Sequence, residues 1–185
     1  MVNQFLEKTI DSKEIYQGKI ISVHLEQVEL PNGKQASREI VRHPGAVAIV
    51  AITEDGRIVM VRQFRKPLDQ TIFEIPAGKL EKGEDPLACA KRELIEETGY
   101  SAQEMKAIVS FYTSPGFADE FIYIYEAKGL TVGEATPDED EFVDLHLLTL
   151  EEAMDKITSG EIIDAKTVFA VYYWQNQYLK KGAHA

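Results

Sequence analysis

Apolar and polar residues alternate near the start of the chain and then give way to an unbroken apolar run. Ile21, Val23 and Leu25 alternate with Ser22 and His24, the period of a half-buried strand. Pro31-Asn32-Gly33-Lys34 marks a turn, with Gln35 to Arg42 as the return strand. Residues 14–42 are therefore expected to form strands of a small antiparallel sheet, too slight to be stable alone. His43-Pro44-Gly45 divides the chain into an N-terminal sheet, 1–43, and a main domain, 44–185. Ala46 to Ile52 is apolar throughout, as in a strand covered on both faces. Glu54-Asp55-Gly56-Arg57 turns the chain, and Ile58 to Arg65 is expected to return as its antiparallel partner. Further strands are expected over Ile72–Ile75, Met105–Tyr112, Phe121–Ala127 and around Leu145–Leu148.

Helical spacing takes over after Gly78. Asp85 suits an N-cap, Pro86 the first helical position and Gly99 the residue past the C-terminus. Between them Leu87, Ala90, Leu94 and Thr98 form one stripe. Thr149-Leu150-Glu151-Glu152 is a capping box that opens a second helix. A third is expected over Ala165–Tyr178, with Phe169, Tyr172, Tyr173 and Trp174 as its apolar side. The order of strands and helices predicts an α/β protein with a mixed sheet held between helices, plus the small N-terminal antiparallel sheet.

Composition narrows this little. A chain of 185 residues, 44% hydrophobic and 28% charged, fits one ordinary core with a small addition. The net charge of -11 argues against non-specific nucleic-acid binding, which needs clustered cations. No run reaches the ~18 apolar residues of a membrane span, and the N-terminus has no apolar signal region. The single cysteine, Cys89, cannot form an internal disulfide, and a cytoplasmic location is expected. Cys89 reads as a small packing residue, and His24, His43, His146 and His184 as structural or solvated groups.

The chemistry gathers on the first helix. Glu93, Glu96 and Glu97 stand at i, i+3 and i+4, a spacing at which like charges repel. A solvated acidic face is one reading. A hard divalent cation bound by the carboxylates is the other, and with no thiolate or histidine in the pattern it would be Mg²⁺ or Mn²⁺ rather than zinc.

The surrounding pattern favours the cation. Gly78, Glu84, Arg92, Glu93, Leu94, Glu96, Glu97 and Gly99 fall at every fixed place of the signature G-x5-E-x7-R-E-U-x-E-E-x-G-U, where U is apolar, and only Tyr100 departs from its last position. By this stretch the chain resembles the Nudix hydrolases. The resemblance implies an α/β/α sandwich whose signature forms a loop–helix–loop. It implies that Glu93 and Glu97 are the main metal ligands and catalytic carboxylates, with Glu96 a further ligand and Ala77 offering its backbone carbonyl. Arg92 and Glu84 would be supporting residues.

Other stretches resemble the ADP-ribose pyrophosphatase branch. Pro115 lies sixteen residues beyond Gly99, and Ser114-Pro115-Gly116 is either a substrate-shaping loop of that branch or a plain turn. Gln63-Phe64-Arg65 resembles a motif whose arginine, here Arg65, reaches the substrate diphosphate. Ser37-Arg38-Glu39-Ile40 resembles a segment that contacts ligand across a homodimer, which assigns Arg38 to the substrate. In the acidic loop Asp138-Glu139-Asp140-Glu141, Glu139 is the expected base and Glu141 a metal ligand, with the exchanged pairing as the alternative. Tyr16 or Phe5 could stack on adenine. The implied activity is hydrolysis of ADP-ribose to AMP and ribose 5-phosphate by a homodimer. Another nucleoside diphosphate sugar or dinucleotide is the alternative, and a non-catalytic ADP-ribose-binding module a more distant one.

Overall fold

Three strands open the chain: β1 (Lys8–Gln17), β2 (Ser22–Glu29) and β3 (Gln35–Arg42), paired antiparallel in that order. The computed structural model describes residues 4–136 and 142–182. The β2–β3 turn closes as its residues suggest, with the Lys34 amide donating to the Asn32 side chain at 3.0 Å and the Leu30 amide to the Lys34 carbonyl at 2.7 Å. The strand β1, whose full length the alternation did not reveal, is exposed at every position and bulged twice. This sheet contributes only Val28 to the buried apolar set.

The sheet belongs to a compact unit made of the residues up to Gly45 together with Phe111–Ile122. Its return segment is fastened to the end of β3. The Val41 amide donates to the Phe117 carbonyl at 2.8 Å, and the Asp119 amide to the Val41 carbonyl at 3.1 Å. The Asp119 carboxylate accepts from the His43 amide at 2.8 Å and from Arg42 at 3.1 Å.

The second unit comprises Ala46–Ser110 and Tyr123–Ala185. Its strands are β4 (Ala46–Ala51), β5 (Ile58–Arg65), β6 (Gln70–Glu74), β7 (Ala77–Lys79), β8 (Tyr100–Tyr112), β9 (Phe121–Val132) and β10 (Val143–Leu148), with the far ends of β8 and β9 counted in the first unit. Its helices are α1 (Pro86–Thr98), α2 (Leu150–Ser159) and α3 (Ala165–Gly182).

The expected β4–β5 hairpin does not form as a ladder. The strands meet only at the bridge Ile52–Ile58 and then part into separate sheets, ordered β7-β4-β9-β8 and β10-β5-β6. Strand β4 lies between β7 and β9, and β5 between β10 and β6, so neither has a free edge for the other. The short strand β7, not among the strands expected above, pairs antiparallel with β4 through Ala77–Ala48 and Gly78–Val47.

Helix α1 packs on β4 and β7, α3 on β6, and α2 on α3 and β10. Val47, Ile49, Val59, Ala90, Leu94 and Tyr125 are central to the core between them. The capping box of α2 is complete, with Thr149 and Glu152 bonded reciprocally. On α3 the buried face differs from the aromatic side expected. Lys166, Thr167, Ala170, Val171 and Trp174 turn inward at spacings of three and four, whereas Tyr172 is half exposed.

Candidate active site

The sequence from Asp85 to Gly99 builds α1 as its end signals require. The Asp85 carboxylate accepts from the Ala88 amide at 3.0 Å, Pro86 occupies the first turn, and Gly99 closes the helix with φ 72°, its amide reaching the Ile95 carbonyl at 2.8 Å. The buried residues come in pairs one turn apart: Cys89 and Ala90, Glu93 and Leu94, Glu97 and Thr98. Two of the three glutamates thus lie on the core-facing side, Glu93 at 6% exposure and Glu97 at 4%, and a solvated acidic face does not describe them.

Buried carboxylates need polar partners. The Ala77 amide, at the start of β7, donates to Glu97 Oε2 at 3.0 Å. Arg92 serves several carboxylates at once. Its Nη1 donates to Glu93 Oε1 and Glu96 Oε2, each at 2.8 Å, and its Nε and Nη2 reach the two oxygens of Glu84 at 3.1 Å. The Arg92 guanidinium and the Glu81 amide hold the Glu84 carboxyl down at about 2, and Glu84 in turn raises Arg92 beyond its already high value. The supporting roles expected for Arg92 and Glu84 have this physical form.

One guanidinium among four carboxylates leaves the region strongly negative, and its donors are hard oxygens. The nearby sulfur does not change that character. Cys89 is fully buried, its thiol pushed up to about 12 by burial and by Glu84, and it donates weakly to the Lys79 carbonyl at 3.5 Å. It stays a neutral thiol, as a packing residue should. A carboxylate and carbonyl donor set suits a hard divalent cation. Among the described residues no group of three or more acidic, histidine or cysteine side chains is placed so that it could by itself hold a metal ion. Glu139 and Glu141 lie outside the described residues, as does His184.

The remaining site residues fall in different places. Arg65, at the end of β5, forks onto Glu74 of β6 at 2.5 and 2.8 Å. In the first unit, Arg38 of β3 forks onto Glu7 at 2.8 and 2.6 Å, and Ser114-Pro115-Gly116 forms a turn whose Ser114 carbonyl accepts from the Phe117 and Ala118 amides at 3.1 and 2.9 Å. Phe5 and Tyr16 are both exposed. His24 bonds Ser22, and His146 stacks edge-on against Phe73. Sequence reasoning missed the buried pair of Glu74 and Lys166. A charged residue inside the apolar run Ile72-Phe73-Glu74-Ile75 was the available signal.

The NUDIX domain model matches residues 21–170. The chain belongs to the Nudix family. Nudix hydrolases generally need a divalent metal, in keeping with the hard-oxygen donors on α1. Among its relatives is a protein of Bacillus methanolicus named methanol dehydrogenase activator, 58% identical over 94% of this chain and 95% of the relative. An ADP-ribose pyrophosphatase of Bacillus subtilis is 56% identical over 91% of this chain and 92% of its own. A solved structure described as an ADP compounds hydrolase superposes with a TM-score of 0.82 at 21% identity, covering 97% of each chain. The Nudix α/β fold with an added three-stranded antiparallel sheet is thereby shown. Among the described residues no helix is long and apolar enough to cross a membrane.

Proposed function

We propose that this Nudix protein hydrolyses the pyrophosphate bond of ADP-ribose, giving AMP and ribose 5-phosphate, with Mg²⁺ or Mn²⁺ as its cation. The observation that carries the reading is the buried pair Glu93 and Glu97 on an intact signature helix, in a chain 56% identical to an ADP-ribose pyrophosphatase. Glu93 and Glu97, with Glu96, the Ala77 carbonyl and Glu141, would hold the cation. Bound there, it would acidify a water and offset charge on the phosphoryl oxygens. Glu139 takes the proton of the attacking water, or Glu141 does so if the two roles are exchanged. Water oxygen joins one phosphorus as the bridging P–O bond breaks, and the bridging oxygen leaves with the other phosphate. Arg65 and Arg38, with the Ser114-Pro115-Gly116 loop, bind the substrate.

The N-terminal sheet, residues 1–43, is proposed as the dimerisation and substrate-contact domain beside the catalytic domain, 44–185. Strand β1 leaves Ile10, Ile15 and Tyr16 exposed, apolar area suited to burial by a second copy. The single thiol at Cys89 fits the proposed cytoplasmic location.

Product analysis with ADP-ribose, ADP-glucose, GDP-mannose, NADH and diadenosine polyphosphates tests the reading. AMP released fastest from ADP-ribose supports it, whereas preference for another member moves the substrate to that class. Relatives named GDP-mannose pyrophosphatase, 32% identical over 76% of this chain, make that member a pointed control. Tight ADP-ribose binding without turnover would indicate a binding module instead. The 58% relative favours a second reading, activation of a methanol dehydrogenase, which a coupled dehydrogenase assay with and without this protein decides.

A further inference from the structure

Glu74 sits in β6 at 1% exposure, where an isolated carboxylate would be strongly disfavoured. It is compensated from two sides. Arg65 donates Nε to Oε1 at 2.5 Å and Nη2 to Oε2 at 2.8 Å, and Lys166 of α3 donates its ammonium to Oε2. Burial pushes the Glu74 carboxyl up, but the Arg65 bonds and the Lys166 charge outweigh it and keep the group ionised. Lys166 is itself buried and anchored to Asp164 at 2.9 Å.

The ground beneath this cluster is firm. The Ile75 amide donates to Thr167 Oγ1 at 3.0 Å, and Thr167 Oγ1 donates to Asp164 at 2.6 Å. The Phe73 amide reaches the Glu161 carbonyl at 3.0 Å. Phe73, Glu74 and Ile75, at and just past the end of β6, are therefore held by residues 161–167, which lead into α3. Arg65 directs its Nε–Nη2 edge at Glu74, and Nη1 makes no hydrogen bond to the described residues, so a planar donor edge remains on a side chain 41% exposed. Three residues beyond Glu74, the Ala77 amide fixes Glu97. One short run, Glu74–Ala77, thus holds both Arg65 and a signature glutamate.

We propose that Lys166 is a positioning residue, which locks the Glu74 carboxylate so that Arg65 presents its free guanidinium edge to the substrate diphosphate. The inference rests on the reading of Arg65 as a diphosphate contact. Two cations on one carboxylate fix its plane, whereas Arg65 alone, part-exposed, could swing with it. A guanidinium free to swing must be ordered when it binds substrate, and that ordering weakens the contact.

The test is a double-substitution cycle in the full-length protein, following ADP-ribose turnover. Lys166→Met is expected to raise KM about tenfold with kcat within about twofold, the split that marks lost uniform binding. In an Arg65→Met background, Lys166→Met should add nothing to KM. An equal rise in both backgrounds, or unchanged KM in the single variant, overturns the inference while leaving the enzyme's proposed function intact. Unchanged KM in Arg65→Met removes the diphosphate contact and the inference with it. No ADP-ribose turnover by the unmodified protein overturns the functional reading itself. Should Lys166→Met not fold, Lys166→Gln, which keeps a donor but no charge, enters the same cycle with the same criteria.

Discussion

The carboxylate of Glu93 occupies the place that a side chain on Gly78 would take: a Cβ there would lie 1.8 Å from its carboxyl carbon. The glycine that opens the signature is therefore a cradle for the glutamate fifteen positions on. The obstructing atoms end a flexible side chain, so the backbone can stay where it is while the carboxylate is driven out. Gly78→Ala is expected to fold, to lose about 1–3 kcal/mol from overpacking, and to lose activity on the order of 100-fold. Urea unfolding read beside ADP-ribose turnover checks both. Retained turnover would mean that the position of Glu93 does not matter to the chemistry.

Glu97 allows charge to be separated from shape. Its Oε2 accepts the Ala77 amide, and a glutamine can keep that bond through its amide oxygen. Replacing one carboxylate of a crowded acidic group relieves repulsion, so Glu97→Gln should be no less stable than the parent. Its kcat is nonetheless expected to fall by about 100-fold or more. Near-normal kcat at saturating Mg²⁺ would remove Glu97 from the cation site.

How much of this was readable from residue order depends on whether the cause was local. The cap at Asp85, the stop at Gly99 and the box at Thr149 involve neighbours within four positions, and each formed as spelled out. The parting of β4 and β5 was not readable, because their edges are taken by β7, β9, β6 and β10, and an apolar run does not say which strand will pair with it. The stripe of α1 was legible, yet the inward turn of Glu93 and Glu97 depends on the space left by Gly78 and the amide of Ala77 on β7. Lys166 and Glu74 are 92 positions apart, and only the packing of α3 on β6 brings them together.

Acid should act on the signature through Glu84. The ordinary value of 4.5 is lowered to about 2 in the folded protein by Arg92 and the Glu81 amide. A carboxyl depressed in the folded state contributes stability that is complete above about pH 4.5 and is lost as pH falls towards 2. Glu84→Gln lacks that contribution at every pH. The stability gap between the parent and Glu84→Gln, measured by urea unfolding, should therefore be widest near neutrality and shrink between pH 4.5 and 2. A gap that stays constant across that window would show that Glu84 has no depressed ionisation.

Two glycines end the helices α1 and α2. Gly99 and Gly160 both adopt left-handed backbone, with φ of 72° and 80°. Alanine at either position meets the left-handed penalty of about 1–2 kcal/mol. Their surroundings differ. A Cβ on Gly160 would meet open space, whereas one on Gly99 would lie 2.8 Å from the Ala135 amide nitrogen and the Gly133 carbonyl oxygen. Those are backbone atoms, and they are tied to the helix: the Gly133 amide donates to the Gly99 carbonyl at 2.7 Å and the Thr136 amide to the Glu96 carbonyl at 3.1 Å. A methyl group at Gly99 must therefore pry this segment from the end of α1, next to Glu96 and Glu97. Gly99→Ala should cost about 3 kcal/mol or more and lower kcat, while Gly160→Ala should cost only the conformational penalty and leave turnover unchanged. Equal losses of stability in urea, with equal turnover, would show that the 133–136 segment yields freely and has no part in holding the catalytic end of the helix.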